Sequence, residues 1–269
     1  MPYEIFPRMK TDITTSIKEY ILSEGASLVG IAPVSRFEGA PAGHGPLDLL
    51  PKAKSVISFG IRMVDSIIDY EEYFIGAESR TPKENRPFSL VLNFYLEMGH
   101  AVQDRQLNSI ACKVALKLEN QGLKTLPTPC TQGIPGVIFS NWWGFFSQRH
   151  AAVQAGLGEF GYNSLVMNPK FGSRVRYGSV ITEAEFNYDP LLTEKVCLRE
   201  NCRKCIEACP GAIKLRDNVN PEEIFIVQPS DTDPHLCMEF HEGQMMPEFK
   251  CTFYGHCVNV CPVKINLKK

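Results

Sequence analysis

The sequence predicts an α+β protein in two parts: a layered α/β unit over residues 1–186, then a compact cysteine-rich unit over residues 187–269. Three observations carry this reading. Helical and strand periodicities alternate up to about residue 185, the pattern of a layered domain. Eight of the ten cysteines fall between Cys197 and Cys261. Within that stretch the motif C-x3-C-P-x-x-I occurs twice, from Cys205 to Ile213 and from Cys257 to Ile265, as two pseudo-symmetric halves would require.

Composition sets outer bounds. At 269 residues the chain can bury a full-sized core. Hydrophobic residues at 44% and charged residues at 22% place it among ordinary globular proteins. The formal net charge of −2 shows no Lys/Arg excess. Nucleic-acid binders draw much of their affinity from such an excess, so composition argues against a nucleic-acid partner. The sequence shows no basic-then-apolar leader, no twin-arginine signal and no apolar run long enough to span a bilayer. The expected address is therefore the cytoplasm, without membrane insertion. Thiols stay reduced there, and closely spaced cysteines read as metal ligands before disulfides.

The elements follow in order. Ile13, Ile17, Tyr20 and Ile21 recur at helical spacing, predicting a helix over residues 11–23 with Gly25 as its stop. Ser27–Ala32 reads as a strand ended by Pro33, and the Pro/Gly-rich segment 37–51 as a loop. Lys54–Arg62 is a second strand, apolar enough to be buried on both faces. The acidic run at Asp69–Glu72 reads as a solvated face rather than paired acid–base carboxylates. An apolar stripe from Val91 to Leu118 predicts one long helix, or two abutting ones, over residues 89–121. On it Tyr95 is expected to pack and Asp104 to face solvent, and Cys112 reads as a small buried apolar residue. Cys130, in a loop, reads as exposed. Leu123–Pro129 is a third strand. Trp142 and Trp143 form an aromatic cluster suited to a core or to the wall of a flat cofactor. A helix over residues 148–157 runs into a turn containing Gly156, Gly158 and Gly161, where the backbone can pass close to another strand or to a bound cofactor. Ser164–Pro169 and Arg174–Thr182 read as a hairpin turning at Lys170–Ser173.

Cysteine spacing is the most specific signal. Two-cluster bacterial ferredoxins use C-x2-C-x2-C-x3-C-P twice, the fourth cysteine of each run ligating the other cluster. Here Cys202, Cys205 and Cys209 keep the x2 and x3 spacings, and Cys197 precedes them by four intervening residues. The second run ends with the standard Cys257-x3-Cys261-Pro262, but Cys251 and Cys237 lie farther upstream than usual. This spacing assigns one cluster to Cys197, Cys202, Cys205 and Cys261, and another to Cys209, Cys237, Cys251 and Cys257. The unit would then be a two-cluster ferredoxin domain holding two [4Fe-4S] clusters. Two Cys₄ zinc sites are the alternative, although zinc sites come more often as separated C-x2-C pairs. His235, His241 and His256 flank ligands and read as surface residues or as donors to the cysteines.

The segment from His150 to Pro169, containing A-G-L-G-E-F-G-Y-N-S, then Gly172–Thr182 and the cysteine runs, resembles the epoxyqueuosine reductase and reductive dehalogenase group. Leu50–Phe59 fits the same group, and the resemblance covers about residues 50–262. It implies a nitroreductase-like α/β domain followed by the two-cluster domain. In that group the clusters feed electrons to a corrinoid, whose reduced cobalt attacks a C–O or C–halogen centre. The resemblance therefore adds cobalamin as a cofactor, with Gly156, Gly158, Gly161, Tyr162, Arg174 and Arg176 lining it, and a ferredoxin- or flavodoxin-type electron donor as a partner. The sequence departs from the group in several places. It has no R-D-x-H segment like the one supplying a general acid in epoxyqueuosine reductases, no helical-repeat tail and no twin-arginine leader. Three functions stay open: a corrinoid-dependent iron–sulfur reductase, an electron-transfer protein or subunit without its own corrinoid, and a flavin-using reductase on the same scaffold.

Overall fold

The computed structural model of the chain describes residues 12–69, 95, 97–130, 144–209, 211–233, 236–237 and 255–263. Helix α1 (Ile13–Ser23) leads into strand β1 (Leu28–Pro33), a single helical turn α2 (Pro46–Leu49), β2 (Ser55–Arg62) and the short α3 (Asp65–Ile68). A π-helical turn, Glu97–Ala101, opens α4 (Val102–Glu119). Next come β3 (Thr125–Thr128), α5 (Gln148–Gln154), β4 (Glu159–Phe160), β5 (Val166–Met167) and β6 (Val175–Thr182). The cysteine-rich part contains α6 (Lys204–Glu207), β7 (Ile213–Leu215), β8 (Ser230–Thr232) and α7 (His256–Asn259).

The centre is a four-stranded sheet of order β1-β2-β6-β3, antiparallel at every step. Alternation along its strands sorts side chains onto two faces. Ile31, Ile57, Phe59, Ile61 and Val180 pack under Ile17 and Ile21 of α1 and Leu107, Ile110, Val114 and Leu118 of α4. Ala32, Val56, Tyr177 and Ile181 face the other way, against Ala151 and Ala152 of α5. Strand β2 is thus covered on both faces, as its apolar run predicts. The cysteine-rich segment shares this second core: Phe225 is one of its buried members, with Cys197, Cys205, Ile206 and Leu215 packed against it.

Three expectations need correction. Strands β5 and β6 do not form a hairpin. Strand β5 pairs with β4, through Glu159↔Met167 and Phe160↔Val166, while β6 fills the sheet between β2 and β3. The side chain of Asn168 accepts from the amides of Lys170 and Phe171 and closes a tight turn that sends the two strands apart. Residues 37–51 are not all loop, because Asp48 accepts from the Gly43 and Gly45 amides and starts the turn α2. Within the described part of the 89–121 segment Tyr95 is helical, and the π-helical turn leads into the regular helix Val102–Glu119. The same helix leaves Cys112 exposed, since its position falls between the buried Ala111 and Val114 on the outer side.

Candidate functional site

Cys197, Cys202, Cys205 and Cys261 line one cavity, together with Tyr162, Asn163, Met167, Leu198, Pro262 and Val263. It encloses about 320 Å³ of atom-free space, part of it open to solvent. Three of its cysteines come from the loop around α6, and the fourth arrives from the far end of the chain. That end packs directly against Gly172, in the turn between β5 and β6. Gly172 is left-handed, with φ +57°, and its Cα lies so close to Val263 that an added Cβ would sit 2.0 Å from the Val263 carbonyl oxygen. Cys209, Cys237 and Cys257 form a second neighbourhood, in which Cys209 raises the cost of ionising Cys237 and both raise that of Cys257. The Ile213 amide donates to the Cys209 sulfur at 3.3 Å. Cys251 lies outside the described residues, as do Trp142, Trp143, His235 and His241.

Burial sets the electrostatics of these thiols. It pushes Cys205 up to about 12, with Cys197, Cys261 and Cys202 adding to the shift. It does the same to Cys257, also to about 12, helped by Cys237, Cys205 and Cys209. Cys197, Cys237 and Cys261 are raised too, each mainly by desolvation. Clustered, desolvated thiols repel one another as thiolates, and a cationic centre among them removes that penalty and displaces their protons. Among the described residues no three His, Cys, Asp or Glu side chains converge tightly enough to grip a single ion. The four cysteines all line the same cavity.

Behind Cys197 stands a carboxylate that sequence reasoning passed over. Glu159, in the A-G-L-G-E turn, is fully buried. One of its oxygens accepts from the amides of Val196 at 2.6 Å and Cys197 at 2.9 Å. The other accepts from the buried Arg199 guanidinium and, at 3.3 Å, from the Phe225 amide. The only signal available in the sequence was an acid set among glycines and apolar residues.

The other expected site residues divide. Tyr162 lines the cysteine cavity and stacks on Phe225, with ring centroids 6.1 Å apart. The glycines lie close to protein backbone: an added Cβ would meet the Pro190 carbonyl oxygen at 2.1 Å from Gly156 and that of Met167 at 2.5 Å from Gly158, and the Met167 side chain at 2.8 Å from Gly161. Arg174 is 1% exposed and bonds both oxygens of Asp69, at 2.7 and 2.8 Å, and one of Asp65 at 2.9 Å. Asp69 is therefore not a solvated charge, in contrast to the reading of its acidic run. Arg176 pairs with Asp104, at 2.7 Å, and Asp104 also meets His100 at 3.0 Å. Asp104 is tucked against the sheet rather than facing solvent. Tyr95 is buried, as expected. Cys130 is only partly exposed and reaches the Asp104 carbonyl at 3.3 Å.

The fold matches those of solved epoxyqueuosine reductases and reductive dehalogenases. A catabolic reductive dehalogenase superposes with a TM-score of 0.60 at 17% identity, covering 94% of this chain and 32% of that one. An epoxyqueuosine reductase solved with a tRNA stem loop gives 0.54 at 18%, covering 92% and 64%. Sequence points the same way. The epoxyqueuosine reductase of Bacillus subtilis is 26% identical over 228 residues, 81% of this chain and 49% of the relative. A tetrachloroethene reductive dehalogenase of Desulfitobacterium hafniense is 41% identical over 85 residues, 30% of this chain and 14% of that protein. The chain thus spans half or less of the length of these curated relatives. No family model matches it. Together these likenesses bear out the resemblance read from residues 50–262: the chain is similar in sequence and fold to the epoxyqueuosine reductases and reductive dehalogenases. Among the described residues no helix is long and apolar enough to cross a membrane.

Proposed function

We propose that the chain is an iron–sulfur reductase with two [4Fe-4S] clusters that pass electrons to a site in its N-terminal part, where a corrinoid supports a reductive reaction. Cys197, Cys202, Cys205 and Cys261 would hold one cluster, and Cys209, Cys237, Cys251 and Cys257 the other. The observation that carries the reading is the convergence of the first four thiols on one cavity, although Cys261 is 56 residues or more from the other three in sequence. Bound there, the clusters would supply one-electron transfer. The chain's own contribution is to bring the first four thiols to one cavity, to withdraw Cys205 and Cys257 from water, and to seat the segment after Cys261 against Gly172. A ferredoxin- or flavodoxin-type protein is the electron donor in this reading, and the cytoplasm its place of action. The tRNA stem loop bound to one structural neighbour makes RNA a substrate class to assay beside small molecules, against the expectation from composition.

A second reading is an electron-transfer protein without its own corrinoid. It is favoured by the protein contacts already made by Gly156, Gly158, Gly161, Arg174 and Arg176, the residues expected to line that cofactor. Anaerobic purification with iron, sulfide and cobalt analysis, followed by mass spectrometry of extracted cofactors, separates the two. Iron and sulfide with corrinoid uptake supports the first reading. Clusters with no corrinoid uptake supports the second, and zinc in place of iron defeats both.

A further inference from the structure

We propose that the buried Glu159–Arg199 ion pair sets the reduction potential of the cluster held by Cys197, Cys202, Cys205 and Cys261. The inference rests on the two-cluster reading above. Potentials of such clusters respond to nearby charge and to amide hydrogen bonds reaching the cysteine sulfurs. Glu159 brings charge to Cys197 and withholds the nearest amides from its sulfur, which takes backbone hydrogen bonds from Tyr162 and Arg199 instead. Its carboxylate occupies the Cys197 amide at 2.9 Å and the Val196 amide at 2.6 Å, so neither donor is left for a sulfur. The same carboxylate brings a full negative charge to the backbone of a ligand residue, with no exposure to water that would screen it.

Arg199 compensates that charge and is itself locked. Its guanidinium donates to the Pro221 carbonyl at 3.0 Å and to the Glu223 carbonyl, and lies 3.7 Å over the Phe225 ring. Phe225 in turn stacks on Tyr162, which lines the cysteine cavity. The Arg199 backbone is left-handed, with φ +54°, and its carbonyl accepts from the Cys202 amide at 2.8 Å. A non-glycine residue keeps such a conformation only where its surroundings hold it. One residue therefore shapes the loop between two ligands and balances the carboxylate behind the first. In the native protein the pair is neutral. Removing either member leaves an uncompensated charge of known sign beside the same cluster.

The test is an anaerobic redox titration followed by EPR on the full chain, after chemical reconstitution. The wild type is expected to show two clusters. E159Q leaves the Arg199 charge alone, which favours the more negative reduced cluster, and the midpoint of one cluster rises. R199Q leaves the Glu159 charge alone, and the midpoint of that cluster falls. R199K keeps the charge and the double variant E159Q/R199Q removes both charges, so each returns close to the wild-type midpoint. The other cluster stays unmoved throughout. Opposite shifts in one cluster support the proposal. Shifts of the same sign, no shift, or loss of the cluster in all four variants overturn it, the last because the pair would then only hold the loop in place. A wild type that takes up no iron–sulfur cluster sinks the functional reading itself, an outcome distinct from two clusters whose potentials ignore the pair.

Discussion

Replacing Gly172 by alanine tests how the end of the chain is held at the first cysteine cavity. Two costs add. The left-handed backbone, φ +57°, disfavours an L side chain by about 1–2 kcal/mol. The new Cβ would lie 2.0 Å from the Val263 carbonyl oxygen, whereas real Cβ contacts stay beyond 3.0 Å, so Val263 must retreat by about 1 Å or more. Val263 is two residues from Cys261, and Gly172 itself cannot move freely because it exchanges two backbone hydrogen bonds with Asn168, at 2.8 and 2.9 Å. Strain of this kind costs about 2–4 kcal/mol in total. Denaturant unfolding of the metal-free protein should show that loss. Reconstitution should leave iron near half of its wild-type content, because only the cluster that depends on Cys261 loses a ligand position. A G172A protein with wild-type stability and full iron would show that the Gly172–Val263 contact does not hold Cys261 in place.

Other outcomes follow from the same geometry. Cys205→Ser should remove one cluster and keep the other, halving iron per chain and leaving one EPR signal, whereas a shared ligand set would lose both. Because burial holds Cys205 and Cys257 near 12, these thiols should resist alkylation at pH 8 in the metal-free protein, and reconstitution should release close to one proton per ligand thiol, measurable in a pH-stat. Arg174→Met should cost about 3–5 kcal/mol in denaturant unfolding, since it removes a buried cation from between the carboxylates of Asp65 and Asp69. Burial, with Arg149 and Arg216 nearby, pulls His150 from 6.5 down to about 4. Its folded pKa lies below the unfolded one, so stability is fully present above pH 6.5 and falls as pH drops towards 4, by up to about 3 kcal/mol. His150→Leu should flatten that limb of a stability–pH profile.

Local signals determined much of this protein. The helical stripe of α1, the apolar run of β2 and the strand at 175–182 were legible because periodicity reports which faces are buried. Cysteine spacing proposed a ligand set with Cys261 crossing over, because a loop wrapping a cluster leaves a fixed interval between its ligands. The tertiary structure alone decided which strands pair. Val166 and Met167 carry the same alternation whether they meet β6 or β4, and the Asn168 turn together with core burial made the choice. It alone placed Asp69 and Asp104 against arginines, since an acidic residue reads as solvated until a buried cation faces it. Glu159 and Arg199 are 40 residues apart, and nothing in either neighbourhood names the other. Sequence carries what is periodic or closely spaced, whereas a buried charge pair depends on two distant segments folding onto one core.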